Sequence, residues 1–200
     1  AGSNLGIYLH VPFCASRCGY CDFNTYTATE LGGSVSRDSF HEVLAQEVRY
    51  AAAHLGDDRR PVETVFVGGG TPTLLGARGL VSLLDAVRTE FGLAPDAEVT
   101  TEANPDSVDD RMLADLRAGG FTRISFGMQS TSSSVLAVLD RTHTPGAGLE
   151  SARAASRAGF AHVNLDLIYG TPGESDDDLR RSVEDALSAG VNHVSAYALI

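Results

Sequence analysis

The sequence predicts an α/β fold whose parallel sheet forms a partial (β/α)6, TIM-like barrel. Three observations carry this expectation. Six short β-rich runs alternate with helix-period segments along the 200 residues, and strands joined by crossover helices make parallel sheets. A weak repeat, "RAGGFTRIS" (117–125), "RAGFAHVN" (157–164) and "SAGVNHVS" (188–195), sets Ala-Gly ahead of three strands, and glycine just past a helix end accepts the left-handed backbone that stops it. Polar residues recur near the C-terminal end of successive runs, the end at which parallel α/β folds build their sites.

The predicted strands are 5–13 (LGIYLHVPF), 63–67 (ETVFV), 98–102 (EVTTE), 123–127 (RISFG), 162–168 (HVNLDLI) and 193–200 (HVSAYALI). Helical periodicity covers 39–54, 77–91, 109–118, 132–139, 146–158 and 176–189. In the second of these, Leu80, Leu83, Leu84, Val87 and Phe91 recur every three or four residues, the apolar stripe of an amphipathic helix. Asp176-Asp177-Asp178 follows a Gly-Glu-Ser turn and reads as an acidic first helical turn. No covering helix follows the sixth strand, so the chain reads as a piece of a longer protein with its C-terminal region absent. An uncovered sheet edge predicts self-association of such a piece.

Composition narrows the function. A net charge of −11, from 15 basic and 26 acidic residues, argues against a nucleic-acid-binding surface. No apolar run is long enough for a membrane-spanning helix, and no basic-then-apolar leader opens the chain. Three cysteines within eight residues do not make a disulfide framework, and a reducing cytoplasm fits them.

Those cysteines, Cys14, Cys18 and Cys21 in "HVPFCASRCGYCDF", directly follow the first strand. C-x3-C-x2-C gathers three soft donors on one loop, which suits iron–sulfur or zinc. Zinc would need a fourth ligand, for which His10 is the nearest candidate, although it lies within the strand. A cubane on three cysteines instead leaves one iron open to a small molecule. The later strands end in "GGGTPT" (68–73), "EANP" with Glu102, "GMQS" with Gln129, and "NLDLIYGTP" with Asp166. GGGTPT lacks the lysine of a phosphate-binding P-loop. Asp166, between Leu165 and Leu167, is a carboxylate that needs partners if buried.

The C-x3-C-x2-C after a first strand, with Tyr20 just before the last cysteine, resembles the radical S-adenosylmethionine (SAM) superfamily, whose domain is a partial (β/α)6 barrel. "IYLHVPFC", "RCGYCDFN", "VGGGTPT", "EANP", "GMQS" and "LDLIYGTPGE" together resemble its oxygen-independent coproporphyrinogen oxidase group, and within it the HemW-type heme chaperones. The resemblance covers nearly the whole chain and implies one radical SAM core domain over 1–200. It implies that Cys14, Cys18 and Cys21 bind a 4Fe-4S cluster whose fourth iron is chelated by SAM, and that one electron then cleaves the sulfonium to a 5′-deoxyadenosyl radical. Gly69, Gly70 and Thr71 would contact the methionine part of SAM, Glu102 its ammonium and Arg141 its carboxylate. Gln129 and Asp166 would hold the ribose hydroxyls, and the backbone near Tyr20 would face the adenine. Tyr8 and His10 would lie near the cofactor or cluster. For the parent protein, the resemblance implies heme as a further ligand, with heme-accepting proteins or an electron donor as partners.

The oxidases proper carry another cysteine two residues beyond the cluster motif, where this chain has Phe23. That departure favours heme handling over porphyrinogen decarboxylation. The alternatives are a radical SAM enzyme of the same group, either a coproporphyrinogen III oxidase/dehydrogenase or a class C methyltransferase, and a structural zinc protein. The remaining histidines, at 41, 54, 143, 162 and 193, read as structural or solvated.

Overall fold

All six expected strands form in the computed structural model, which describes residues 4–27, 30, 36–56, 60–141, 143–144 and 146–199. They are β1 (Leu5–Val11), β2 (Val62–Gly69), β3 (Leu93–Ala103), β4 (Arg123–Gln129), β5 (His162–Tyr169) and β6 (His193–Ala198). They pair in parallel, in the order β1-β2-β3-β4-β5-β6. Sequential order with crossovers of one hand puts the helices on one face, so the sheet curls into a barrel segment. The helices are α1 (Phe40–Leu55), α2 (Gly76–Phe91), α3 (Asp110–Gly119), α4 (Ser133–Val138), α5 (Ala147–Arg157) and α6 (Asp176–Ser188).

Local chemistry fixes the boundaries. Gly120, Gly159 and Gly190, the glycines of the three-fold repeat, all have positive φ (107°, 88° and 76°) where α3, α5 and α6 give way to strands. The acidic turn at 176–178 opens α6 as expected. Ser175 and Asp178 form a reciprocal capping box there, with the Asp178 N–H donating to Ser175 Oγ at 3.2 Å.

Strand bounds shift from expectation, and two of the shifts have a local cause. Pro12, which has no N–H, ends β1 before the expected Phe13. In β3, Val62 of β2 pairs with Leu93 while Thr64 pairs with Glu98. Residues 94–97 therefore bulge out of register, and their Pro-Asp pair conceals the strand from sequence patterning. Ile200, the expected last residue of β6, lies outside the described residues.

The sheet has two unlike faces. Toward the helices, Leu9, Val65, Val67, Ile124, Phe126, Leu165 and Leu167 are buried against Leu80, Leu83, Leu84 and Val87 of α2, among others. Val87 and the three α2 leucines have no exposed surface, which confirms the predicted stripe. The inner face carries Tyr8, His10, Glu102, Ser125, Asn164, Asp166 and Tyr197. Strand register holds these polar and aromatic positions together, since Gly127 pairs with Asp166 and Asp166 with Ser195. Among the described residues, no helix is long and apolar enough to cross a membrane.

Candidate functional site

The C-terminal ends of the strands and the loop after β1 enclose a cavity of about 430 Å³. The loop is tied down at both ends. The Cys14 N–H donates to the Tyr26 carbonyl (3.0 Å), and the Tyr26 N–H donates to the Pro12 carbonyl (2.7 Å). Arg17 donates to the Thr25 carbonyl at 2.7 Å, and the Gly19 N–H to the Leu139 carbonyl at 3.2 Å. Cys14, Cys18 and Cys21 line the resulting wall as free thiols. Burial pushes the Cys14 thiol up, as do the two neighbouring cysteines, against lowering hydrogen bonds from Thr25 and Thr71.

The GGGTP segment closes the next wall because its backbone can approach the loop. The Gly70 N–H donates to the Val11 carbonyl (2.8 Å) and the Thr71 N–H to the Phe13 carbonyl (2.7 Å). A Cβ on Gly70 would overlap the Phe13 carbonyl and stand 2.9 Å from Cys14 Sγ. Only glycine lets this strand end pass so close to the thiol. A Cβ on Gly68 would likewise press to 3.0 Å from Glu102 Oε2.

Opposite the thiols stand two carboxylates. Glu102 accepts from the Gly69 N–H at 3.0 Å. Burial, with the Asp166 charge beside it, pushes the Glu102 carboxyl up to about 7 against the lowering effect of that bond and of Arg123. Asp166 accepts from the Ser125 hydroxyl (3.0 Å) and from Asn164 Nδ2 (2.8 Å). Burial raises its carboxyl too, while hydrogen bonds from Ser125, Asn164 and Ser195 lower it. Gln129 sits where β4 carries a bulge, between the Gly127 and Gln129 pairings, and has φ 67°. The strained turn sets this residue, 8% exposed, into the cavity wall.

Arg141 bridges the two sides. It donates from Nη1 to Cys18 Sγ (3.2 Å), from Nη2 to the Gly127 carbonyl (2.8 Å) and from Nε to His143 Nδ1 (3.1 Å). Tyr20 packs against a small apolar cluster of Val135, Leu139 and Ile168, and burial pushes its hydroxyl well above the usual phenol range.

The structure therefore brings eleven sequence-predicted residues into the lining of one cavity: Cys14, Cys18, Cys21, Tyr20, Gly69, Gly70, Thr71, Glu102, Gln129, Arg141 and Asp166. Tyr8 and His10 stand apart from that lining, on the inner face of β1. Tyr8 Oη lies 2.9 Å from His10 Nδ1, and His10 Nε2 lies 2.9 Å from the Asn24 carbonyl. Both ring nitrogens of His10 are thus engaged, so it does not offer the fourth donor a zinc site would require. Among the described residues, no three His, Cys, Asp or Glu side chains converge on a single-ion position.

Sequence reading missed three residues that build this site. Ser125 and Asn164 orient Asp166, and parity could have found them: each lies two positions before a wall residue on its own strand. His143, read as structural or solvated, is 5% exposed and holds Arg141. No sequence signal marks it, because it falls between the helix-period stretches 132–139 and 146–158.

The sequence model of the radical SAM superfamily matches residues 8–186. Over 199 residues the chain is 61% identical to a protein of Mycobacterium tuberculosis named heme chaperone HemW, covering 100% of this chain and 50% of the relative. It is 38% identical to the Escherichia coli protein of that name over 195 residues, 98% of this chain and 50% of the relative. The structure of coproporphyrinogen III oxidase (HemN) from Escherichia coli, described as a radical SAM enzyme, superposes with a TM-score of 0.86 at 27% identity. That match spans 98% of this chain and 44% of the other. The chain spans about half the length of the curated relatives it matches. With a partial (β/α)6 barrel, three loop thiols at its mouth and the superfamily pattern across most of its length, the chain belongs to the radical SAM superfamily.

Proposed function

We propose that the chain is a radical SAM core domain, covering 1–200, of a protein that binds heme and passes it to acceptor proteins. Family membership implies a 4Fe-4S cluster and SAM, and the residues present fit both. Three thiols on one wall supply soft donors, and the glycine cradle at Gly70 admits backbone beside Cys14 Sγ. Cys14, Cys18 and Cys21 would hold the cluster. When bound, the cluster supplies one electron for reductive cleavage of SAM. Glu102, ionised, would receive the SAM ammonium while Gly69, Gly70 and Thr71 pass their backbone along its methionine part. Arg141 would take the carboxylate by a charge-assisted fork. Gln129 and Asp166 would hold the ribose hydroxyls, with Ser125 and Asn164 fixing the Asp166 carboxylate. The backbone near Tyr20 would face the adenine. Tyr8 and His10 take a supporting place: His10 anchors the cysteine loop through the Asn24 carbonyl.

One observation carries the heme reading over porphyrinogen oxidation. Phe23 lines the cavity at the position of the oxidases' further cysteine, 62% exposed, within a sequence 61% identical to a heme chaperone. A phenylalanine there gives the mouth an apolar ring in place of a reactive thiol. The test uses the full-length protein, reconstituted anaerobically with iron and sulfide. Expected are stoichiometric heme uptake, seen as a shift in the visible heme bands, and heme transfer to an apo-acceptor. Catalytic decarboxylation of coproporphyrinogen would overturn this assignment in favour of the oxidase. Stoichiometric zinc with no cluster absorption would overturn the radical SAM site itself.

A further inference from the structure

Arg141 has more to do in this cavity than a ligand carboxylate requires. It follows Asp140, whose φ of 50° turns the chain sharply after α4, and its N–H is anchored on the Leu136 carbonyl at 2.9 Å. Three of its five side-chain N–H groups are committed, to His143 Nδ1, the Gly127 carbonyl and Cys18 Sγ. One N–H on each terminal nitrogen is left over, so a forked bond to a carboxylate remains possible while the cysteine contact is kept. A planar guanidinium held at three corners cannot swing away from the sulfur without breaking the other two bonds.

We propose that Arg141, fixed in place by His143, raises the reduction potential of the cluster on Cys14, Cys18 and Cys21 by donating a charged hydrogen bond to the Cys18 sulfur. His143 is the positioning residue. The inference rests on the cluster assignment above. Reduction adds one electron to the cluster and increases the negative charge shared by its cysteine sulfurs. A cationic donor on one sulfur therefore stabilises the reduced state more than the oxidised one. Cys18 also bonds the Tyr20 hydroxyl, but that donor carries no charge.

His143 suits the task because it accepts. Its Nδ1 takes the Arg141 Nε–H, which leaves its own proton on Nε2 and the ring neutral. Burial, with the Arg141 charge beside it, holds this histidine down at about 4 despite the nearby Asp106 carboxylate. The ring therefore stays neutral across the working pH range and does not repel the guanidinium.

The experiment is an EPR-monitored redox titration of the full-length, reconstituted protein without SAM, with iron and sulfide content measured for each variant. His143→Leu keeps the bulk and removes the acceptor. Arg141→Lys keeps the charge but cannot hold three corners. Each should shift the reduction equilibrium about tenfold toward the oxidised cluster, about 59 mV for a one-electron couple. His143→Asn, with an amide oxygen near the Nδ1 position, should restore most of the shift. An unchanged potential in both His143→Leu and Arg141→Lys at full iron content overturns the proposal and leaves the cluster assignment standing. Equal shifts in His143→Leu and His143→Asn overturn the role given to His143. If His143→Leu fails to hold iron, Arg141→Lys alone decides. Failure of the unaltered protein to assemble a cluster sinks the underlying assignment instead.

Discussion

The two faces of the sheet obey opposite rules. The outer face, typified by Phe126, Ile124 and Leu165, is apolar and sealed by helices. The inner face places two carboxylates, Glu102 and Asp166, side by side in one cavity wall and leaves Tyr8 and Tyr197 more than half exposed. A fold assembled only for stability would not bury two acids together, because each raises the cost of ionising the other. Stability resides outside the curl and chemistry inside it, and mutations on the two faces should separate cleanly.

The largest contrast comes from the loop the inner face supports. Cys21→Ser should abolish cluster absorption entirely after reconstitution, while the unfolding free energy of the metal-free protein stays within about 0.5 kcal/mol of the parent. Phe126→Ala on the outer face should do the reverse. Urea unfolding should show a loss of about 3–5 kcal/mol, with cluster content per folded molecule unchanged. Equal damage to both properties by either variant would erase the distinction between faces.

Glu102→Gln tests the inner face directly. The Glu102 carboxyl titrates near 7 in the folded chain against an ordinary 4.5. The folded state thus holds a proton that the unfolded state has released between those values. Its stabilising contribution is complete below about 4.5 and disappears as pH rises through 7, a span on the order of 3 kcal/mol. Urea midpoints across that range should fall with pH in the parent and fall less in Glu102→Gln. SAM affinity should run the other way, tightening as pH rises through 7 because an ammonium needs the ionised acid. Calorimetry in buffers of different ionisation heat should detect the released proton. Glu102→Gln should weaken SAM at least about tenfold, the order of one lost charged hydrogen bond.

The smallest expected effect is on stability in Asp166→Asn. Burial raises this carboxyl as well, so replacing it with a neutral amide should leave thermal stability at pH 7 unchanged or up to about 1 kcal/mol higher. SAM affinity should fall in the same variant. A clear loss of stability would mean that Asp166 belongs to the core and not to the site.

Much of this was legible in the chain because periodicity and strand-end position are local signals. Leu80, Leu83 and Leu84 announce the outer face by spacing alone, and three glycines announce where helices stop. The cysteine motif and GGGTP were readable because soft donors and close-packed glycines leave few chemical options. What stayed hidden depends on partners distant in sequence. Asn164 matters because Ser125, 39 residues earlier, reaches it at 2.6 Å. His143 matters because Arg141 turns toward it after a left-handed Asp140. The β3 bulge was invisible because only the neighbouring strand reveals the missing pairings.

The bulge in β4 also sets the phase of everything after it. Through Gly127 the strand alternates regularly, and Gly127 stands opposite Asp166; the next pairing joins Gln129 to Leu167, so Met128 is an uncounted beat. Removing that beat would resynchronise the ladder and displace both Gln129 and the start of the segment leading to Arg141. An alignment of this chain with a relative that lacks the extra residue must open its gap at Met128. Placed a residue or two away, the gap would pair Gly127 or Gln129 with a residue of the sealed face.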